Sequence, residues 1–146
     1  MHWKLLNVHP PVTYAVVLST DDEVMTELGR FVREQNFESG SVTAIGAFRH
    51  TLLGYFDWQT KQYQEIVVDE QVEVLSLLGD VAVADKGPSL HLHTVVGKFD
   101  GSVVGGHLLE GHVRPTLEAI VTQPPSYLRK RRDPVTSLPL ITVDPI

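Results

Sequence analysis

Three histidines stand close together in the stretch SLHLHTVVGKFDGSVVGGHLLEG, residues 89–111: His91, His93 and His107. Neutral imidazole is the commonest side-chain ligand for divalent transition metals. His91 and His93 are two apart, so on a strand both side chains leave the same face and can share one ligand. His107 follows a turn at Asp100–Gly101, and its face depends on how that turn closes. A two-residue loop sets His107 opposite Thr94, on the wrong face. A three-residue loop ending in a left-handed Gly101 sets it directly opposite His93. A bulge at Gly105–Gly106 offers a second route, with His107 opposite Val95 on the histidine face. Either device makes the three imidazoles converge.

Three protein nitrogens with a fourth position open to water, substrate or a neighbouring subunit are a zinc arrangement, although nickel, copper and iron also accept imidazole. The expected cofactor is therefore a divalent metal, zinc favoured, held by His91, His93 and His107; polar packing or a metal-free ligand pocket is the competing reading. The chain has no cysteine, which removes thiolate ligands, thiol redox chemistry and disulfides. Glu110 and His112 follow the cluster and are available to orient a ligand or act as a general base, against plain exposure at a strand end. His9, before Pro10 and Pro11, reads as a loop residue outside the site. No Ser-His-Asp order, phosphate-cradling glycine loop or nucleotide fingerprint appears at a convincing spacing.

The elements that must position the cluster are mostly short strands. Thr13 to Leu18 reads as a strand, and the period then changes. Val24, Leu28, Phe31 and Val32 make one apolar stripe of a helix, with Glu27, Arg30 and Glu34 on its opposite face. Thr20 and Glu23 have the spacing of a capping box. Strand candidates follow at 41–48, 52–57, 63–68, 72–78, 81–84, 90–98, 102–109 and 117–121, joined by turns too short for crossover helices. Trp58 to Lys61 and Asp100–Gly101 look like hairpin turns, and Asp85 to Pro88 is a breaker cluster. The expected class is α+β: a mainly antiparallel mixed sheet with one principal helix packed on it, in a single domain spanning residues 1–146. From about residue 123 the five prolines Pro124, Pro125, Pro134, Pro139 and Pro145 favour an extended tail that follows the surface.

Charge and hydropathy narrow the partners. Twelve basic residues against 18 acidic ones give a net charge of −6, which disfavours a sequence-independent grip on phosphates. The basic run Arg129, Lys130, Arg131 and Arg132 is available to a phosphate or an acidic partner but reads first as a solvated loop. No apolar stretch approaches the roughly 20 residues that cross a bilayer, and the N-terminal residues lack the apolar core of a secretory signal, so a cytoplasmic location is expected.

The histidine stretch, with AIGAF at 44–48, LGYFDWQTKQY at 53–63, EVLSLLGDVA at 73–82 and VRPTLEAIV at 113–121, resembles the plant and prokaryote conserved (PPC) domain family over most of the chain. The resemblance implies a mixed α/β fold that assembles as a homotrimer. The family also carries a DNA-binding label, owed to plant members with an AT-hook. This chain has no Arg-Gly-Arg-Pro core and looks like the bacterial form without that segment, so DNA binding by it is not expected. It departs from the bacterial pattern at Asp21, where glycine is frequent. The function expected is a trimeric binding or regulatory module with a three-histidine metal site and room for a small-molecule ligand. A small metal-dependent hydrolase or lyase is the first alternative, and a DNA-associated regulator the second.

Overall fold

Apolar and polar residues alternate along this chain over longer runs than its turn-like residues suggest, and the strands are correspondingly long. The computed structural model describes residues 1–5, 11–124 and 129–142. Among these, the order is β1 (His2–Leu5), β2 (Val12–Ser19), α1 (Val24–Glu34), β3 (Ser39–Asp57), β4 (Gln62–Val68), β5 (Val72–Ala84), β6 (Gly87–Gly97), β7 (Val103–Gln123), β8 (Arg129–Arg132) and β9 (Pro139–Thr142). Strands take up 68% of these residues, so the fold is mostly β.

That overturns the α+β expectation with a principal helix. The one helix found has 11 residues and lies over a sheet that holds most of the core. The difference comes from three strand pairs that the sequence reading kept apart and the structure joins. Candidates 41–48 and 52–57 are one strand, β3, as are 72–78 and 81–84 in β5 and 102–109 and 117–121 in β7. Irregular register explains the apparent breaks in β3 and β7, whereas in β5 the pairing runs regularly through Gly79–Asp80. In β3, Ala47 and Phe48 are both buried, where strict alternation would expose one, and pairing with β7 shifts between Gly46 and Phe48. Five residues of β7, from Val113 to Leu117, stand against three of β3, from Gly46 to Phe48, and this bulge absorbs Pro115, which has no N–H to give to a ladder.

The long strands change neighbours along their length. β3, β5, β6 and β7 pair in a closed circuit of antiparallel ladders, β4 extends β3, and β2 and β1 extend the C-terminal half of β7. Among the described residues, the one parallel pairing is Val83 with Arg129, where β8 joins β5. The Pro-rich segment is therefore partly regular: β8 and β9 form a hairpin, while Pro125, Pro145 and His9 lie outside the described residues.

The apolar stripe of α1 (Val24, Leu28, Phe31, Val32) is buried against the sheet, and Phe31 meets Tyr14 and Phe37 at 5.2 and 5.8 Å between ring centroids. The helix N-cap is Glu23 rather than Thr20: the Glu23 carboxylate accepts from the backbone N–H groups of Met25 and Thr26. Thr20 instead donates its hydroxyl to the Pro115 carbonyl. Asp21 has φ of 73°, in the left-handed region that favours glycine, the residue the bacterial pattern often carries there.

Candidate metal centre

Along β6, Leu92, Thr94 and Val96 point into the core, and His91, His93 and Val95 point to the opposite face. The turn after β6 closes with Gly101 at φ 82°, and the ladder it starts pairs Gly97 with Val103. Carried along, this register sets His107 directly opposite His93. Of the two routes open to the sequence, the left-handed Gly101 turn is the one used. Gly105 pairs regularly with Val95, with no bulge.

The three imidazoles meet on that face. Nε2 of His91 and Nε2 of His93 are 3.1 Å apart, and ring centroids lie 4.9, 5.1 and 5.3 Å apart for the pairs 91/93, 91/107 and 93/107. One ligand nitrogen from each lies within 4.8 Å of the others. Tetrahedral zinc, with bonds of about 2.0–2.1 Å, spaces its nitrogens roughly 3.4 Å apart. The widest pair therefore has to close by up to about 1.4 Å, a side-chain adjustment.

Two neighbours set the state of these rings. Asp80, on β5, stands opposite His91, with Oδ2 3.4 Å from Nδ1. That contact holds the His91 proton on Nδ1 and leaves the Nε2 lone pair toward His93. The other Asp80 oxygen lies 2.7 Å from Nζ of Lys130, whose side chain is only 2% exposed; the contact is close but poorly aligned as a hydrogen bond. Burial works against ionisation of Asp80, yet His91 and Lys130 together hold its pKa below the ordinary carboxylate value. On β4, Tyr63 stacks on His107 at 4.9 Å. Gly54 permits this, because a Cβ there would come within 2.7 Å of the Tyr63 ring.

Burial lowers the pKa of His107 to about 4, with further contributions from His91, His93 and Lys130. Burial likewise lowers that of His93, assisted by His91 and opposed by Asp80. Both rings are therefore neutral at physiological pH, the form that coordinates a metal. Nδ1 of His107 is buried without a hydrogen-bond partner, which costs about 1–3 kcal/mol if nothing meets it. Convergence, neutrality and an orphaned nitrogen fit a metal ligand set.

Glu110 and His112 do not join the cluster. His112 lies 3.8 Å from Glu110 and 5.7 Å, ring to ring, from His50, which in turn meets Asp69. The sequence reading missed Asp80, Lys130 and Tyr63. Asp80 was within reach: a two-residue turn at Asp85–Lys86 pairs Ala84 with Gly87, and the same register leads to Asp80 opposite His91. Lys130 was hidden in a basic run that looks solvated throughout, whereas β8 turns Lys130 inward and leaves Arg129, Arg131 and Arg132 exposed.

A family model for the Plants and Prokaryotes Conserved (PCC) domain matches residues 8–124. Among solved structures, a Bacteroides thetaiotaomicron protein provisionally named DNA-binding is 27% identical, with 96% of each chain covered and a TM-score of 0.88. A plant- and prokaryote-conserved protein of Pyrococcus horikoshii is 25% identical over 99% of this chain and 97% of its own, with a TM-score of 0.85. A metal-containing protein of Archaeoglobus fulgidus is 29% identical over 96% of this chain and 99% of its own, also with a TM-score of 0.85. No curated protein matches the sequence. Among the described residues, no helix is long and apolar enough to cross a membrane.

Proposed function

The chain belongs to the Plants and Prokaryotes Conserved domain family, and from that premise we propose that it is a homotrimeric binding or regulatory module whose His91, His93 and His107 hold one divalent metal ion, zinc favoured. The observation that carries this reading is the convergence of three imidazoles, one of them with a buried and unpartnered Nδ1. The metal-containing relative from Archaeoglobus fulgidus supports it. When bound, the ion supplies a Lewis-acidic position beside a cavity of about 170 Å³ lined in part by His91, His107 and Lys130. Asp80 orients His91, and Tyr63 covers His107.

The register supports self-association. His93, Leu78, Thr43 and Ile120 oppose one another in a row across β6, β5, β3 and β7. Leu78 and Ile120 in this row are exposed, as are Val95 and Ile45 nearby. Exposed apolar side chains gathered on one sheet face in this way are what a further copy of the chain would cover. The hydrolase or lyase alternative needs a proton-transfer residue, and Glu110, its candidate, turns to His112 and does not line the cavity. DNA association, suggested by the name of the Bacteroides relative, has a net charge of −6 against it.

Elemental analysis of tag-free protein reconstituted with zinc tests the reading. About one ion per chain is expected, and His93→Ala should lose most of it while keeping its oligomeric mass. Substoichiometric zinc in the unmodified protein, or full zinc in His93→Ala, overturns the metal site. His9→Ala, remote from the cluster in sequence, is the control.

A further inference from the structure

We propose that the cavity beside the histidines binds a small monocarboxylate, with Lys130 receiving its anionic head. Lys130 is the buried member of the basic run. An ammonium withdrawn from water needs counter-charge and acceptors for three N–H donors. Among the described residues its ion-pair partner is Asp80, which it shares with His91 and meets in poor alignment. The demand left over borders a cavity of about 170 Å³.

Charge balance points the same way, and here the proposal rests on the metal reading. Asp80 and Lys130 cancel, and imidazoles that coordinate a metal do so in the neutral form and add no charge. A divalent ion among them leaves two positive charges uncompensated at a half-buried place. An anion entering the cavity meets both the ion and Lys130. A planar carboxylate accepts from an ammonium with one oxygen and leaves the second for the metal's open position.

The cavity also sets the size and the other end of the ligand. Its polar lining includes Tyr63, His91, His107 and Lys130, and its apolar lining includes Leu138 and Leu140 from the β8–β9 hairpin. A cavity of about 170 Å³ is comparable to the roughly 150 Å³ that holds a benzene, so it takes a ligand of about six heavy atoms, the size of butyrate. A charged head with a short apolar tail matches this lining better than a compact polyanion such as phosphate. The family match ends at residue 124, so Lys130 and both leucines lie beyond it.

Titration calorimetry with butyrate, on zinc-loaded protein and on chelator-treated protein, tests the proposal, with inorganic phosphate as the competing anion. The zinc-loaded protein should bind butyrate, and more tightly than phosphate. Lys130→Met should weaken butyrate by at least about tenfold, as loss of a charged hydrogen bond does, while its zinc content stays near one per chain. Leu138→Trp, which fills the cavity without changing a charge, should weaken it similarly and covers the case in which Lys130→Met fails to fold. No butyrate binding to zinc-loaded protein, unchanged binding in Lys130→Met, or phosphate binding as tightly as butyrate overturns the proposal. Zinc content is read separately, so a protein that holds zinc but ignores butyrate sinks this inference alone.

Discussion

Replacing Asp80 should separate two effects that its two oxygens produce. Oδ2 lies 3.4 Å from Nδ1 of His91, longer than the usual 2.7–3.2 Å for an N–H donor, so the bond it accepts is weak. Removing a partner that orients a metal-bound histidine lowers metal affinity about 10–100-fold. The long distance places Asp80→Ala at the lower end, near tenfold or about 1.4 kcal/mol. Oδ1 compensates Lys130, and breaking a fully buried ion pair costs about 3–5 kcal/mol. The Asp80 side chain is 29% exposed and the contact poorly aligned, so about 1–3 kcal/mol of folding stability is the better expectation. Adding Lys130→Met to Asp80→Ala should return most of that stability by removing the stranded charge, without restoring zinc affinity. Competition against a chelator gives the affinity, and urea denaturation of the ion-free protein gives the stability. If Asp80→Ala holds zinc within about twofold of the unmodified protein, Asp80 does not orient His91. If the double variant is no more stable than Asp80→Ala, Lys130 is not stranded by the loss.

Light scattering coupled to size exclusion should give three times the mass of the 16.2 kDa chain at micromolar concentration; the mass of a single chain, or of two, refutes the trimer. Generic duplex DNA at physiological salt should bind more weakly than the roughly 10⁻⁴ to 10⁻⁶ M of non-specific binders, because the chain carries −6 overall and the run at 129–132 sends Lys130 inward. Micromolar binding that falls steeply with salt would promote the DNA-associated reading. The ion-free protein should lose stability as pH falls from about 6.5 to 4, since the unfolded chain takes up a proton at His107 that the folded protein refuses until about 4. The loss, discounted for partial exposure, is about 2–3 kcal/mol, and above pH 6.5 this residue contributes no slope. A urea midpoint at pH 4.5 equal to that at pH 7.5 counts against it, and the dependence should flatten in His107→Asn.

The sequence made the site more legible than the framework around it. Residues two apart on a strand share a face whatever the fold, and Gly101 carries the left-handed conformation that one of the two routes requires, so both routes to convergence could be written down from residue types and the register chose between them. The partners of the cluster were harder to see because each is fixed by long-range pairing. Gly79–Asp80 looks like a turn between two strands until β5 is known to run through it. Tyr63 reaches His107 only because β4 pairs with β3 and β3 with β7. The fold class went wrong for a related reason. Pro115 and the doubled buried pair Ala47–Phe48 look like strand ends, and a tertiary register with bulges carries the strands past them.

Core packing and the proposed metal site are written into β6 on alternate letters. Leu92, Thr94 and Val96 are buried, and the residues between them, His91, His93 and Val95, face the other way. A change at one of the outward positions leaves the inward neighbours in place. Descendants of such a strand are free to exchange one imidazole for another donor, or to lose the ligand set altogether, while the same sheet continues to form. Conversely, conservative exchanges such as Leu92→Ile alter the packing without touching a ligand. Drift in binding specificity and drift in thermal tolerance can thus proceed on separate clocks within a single segment of 11 residues.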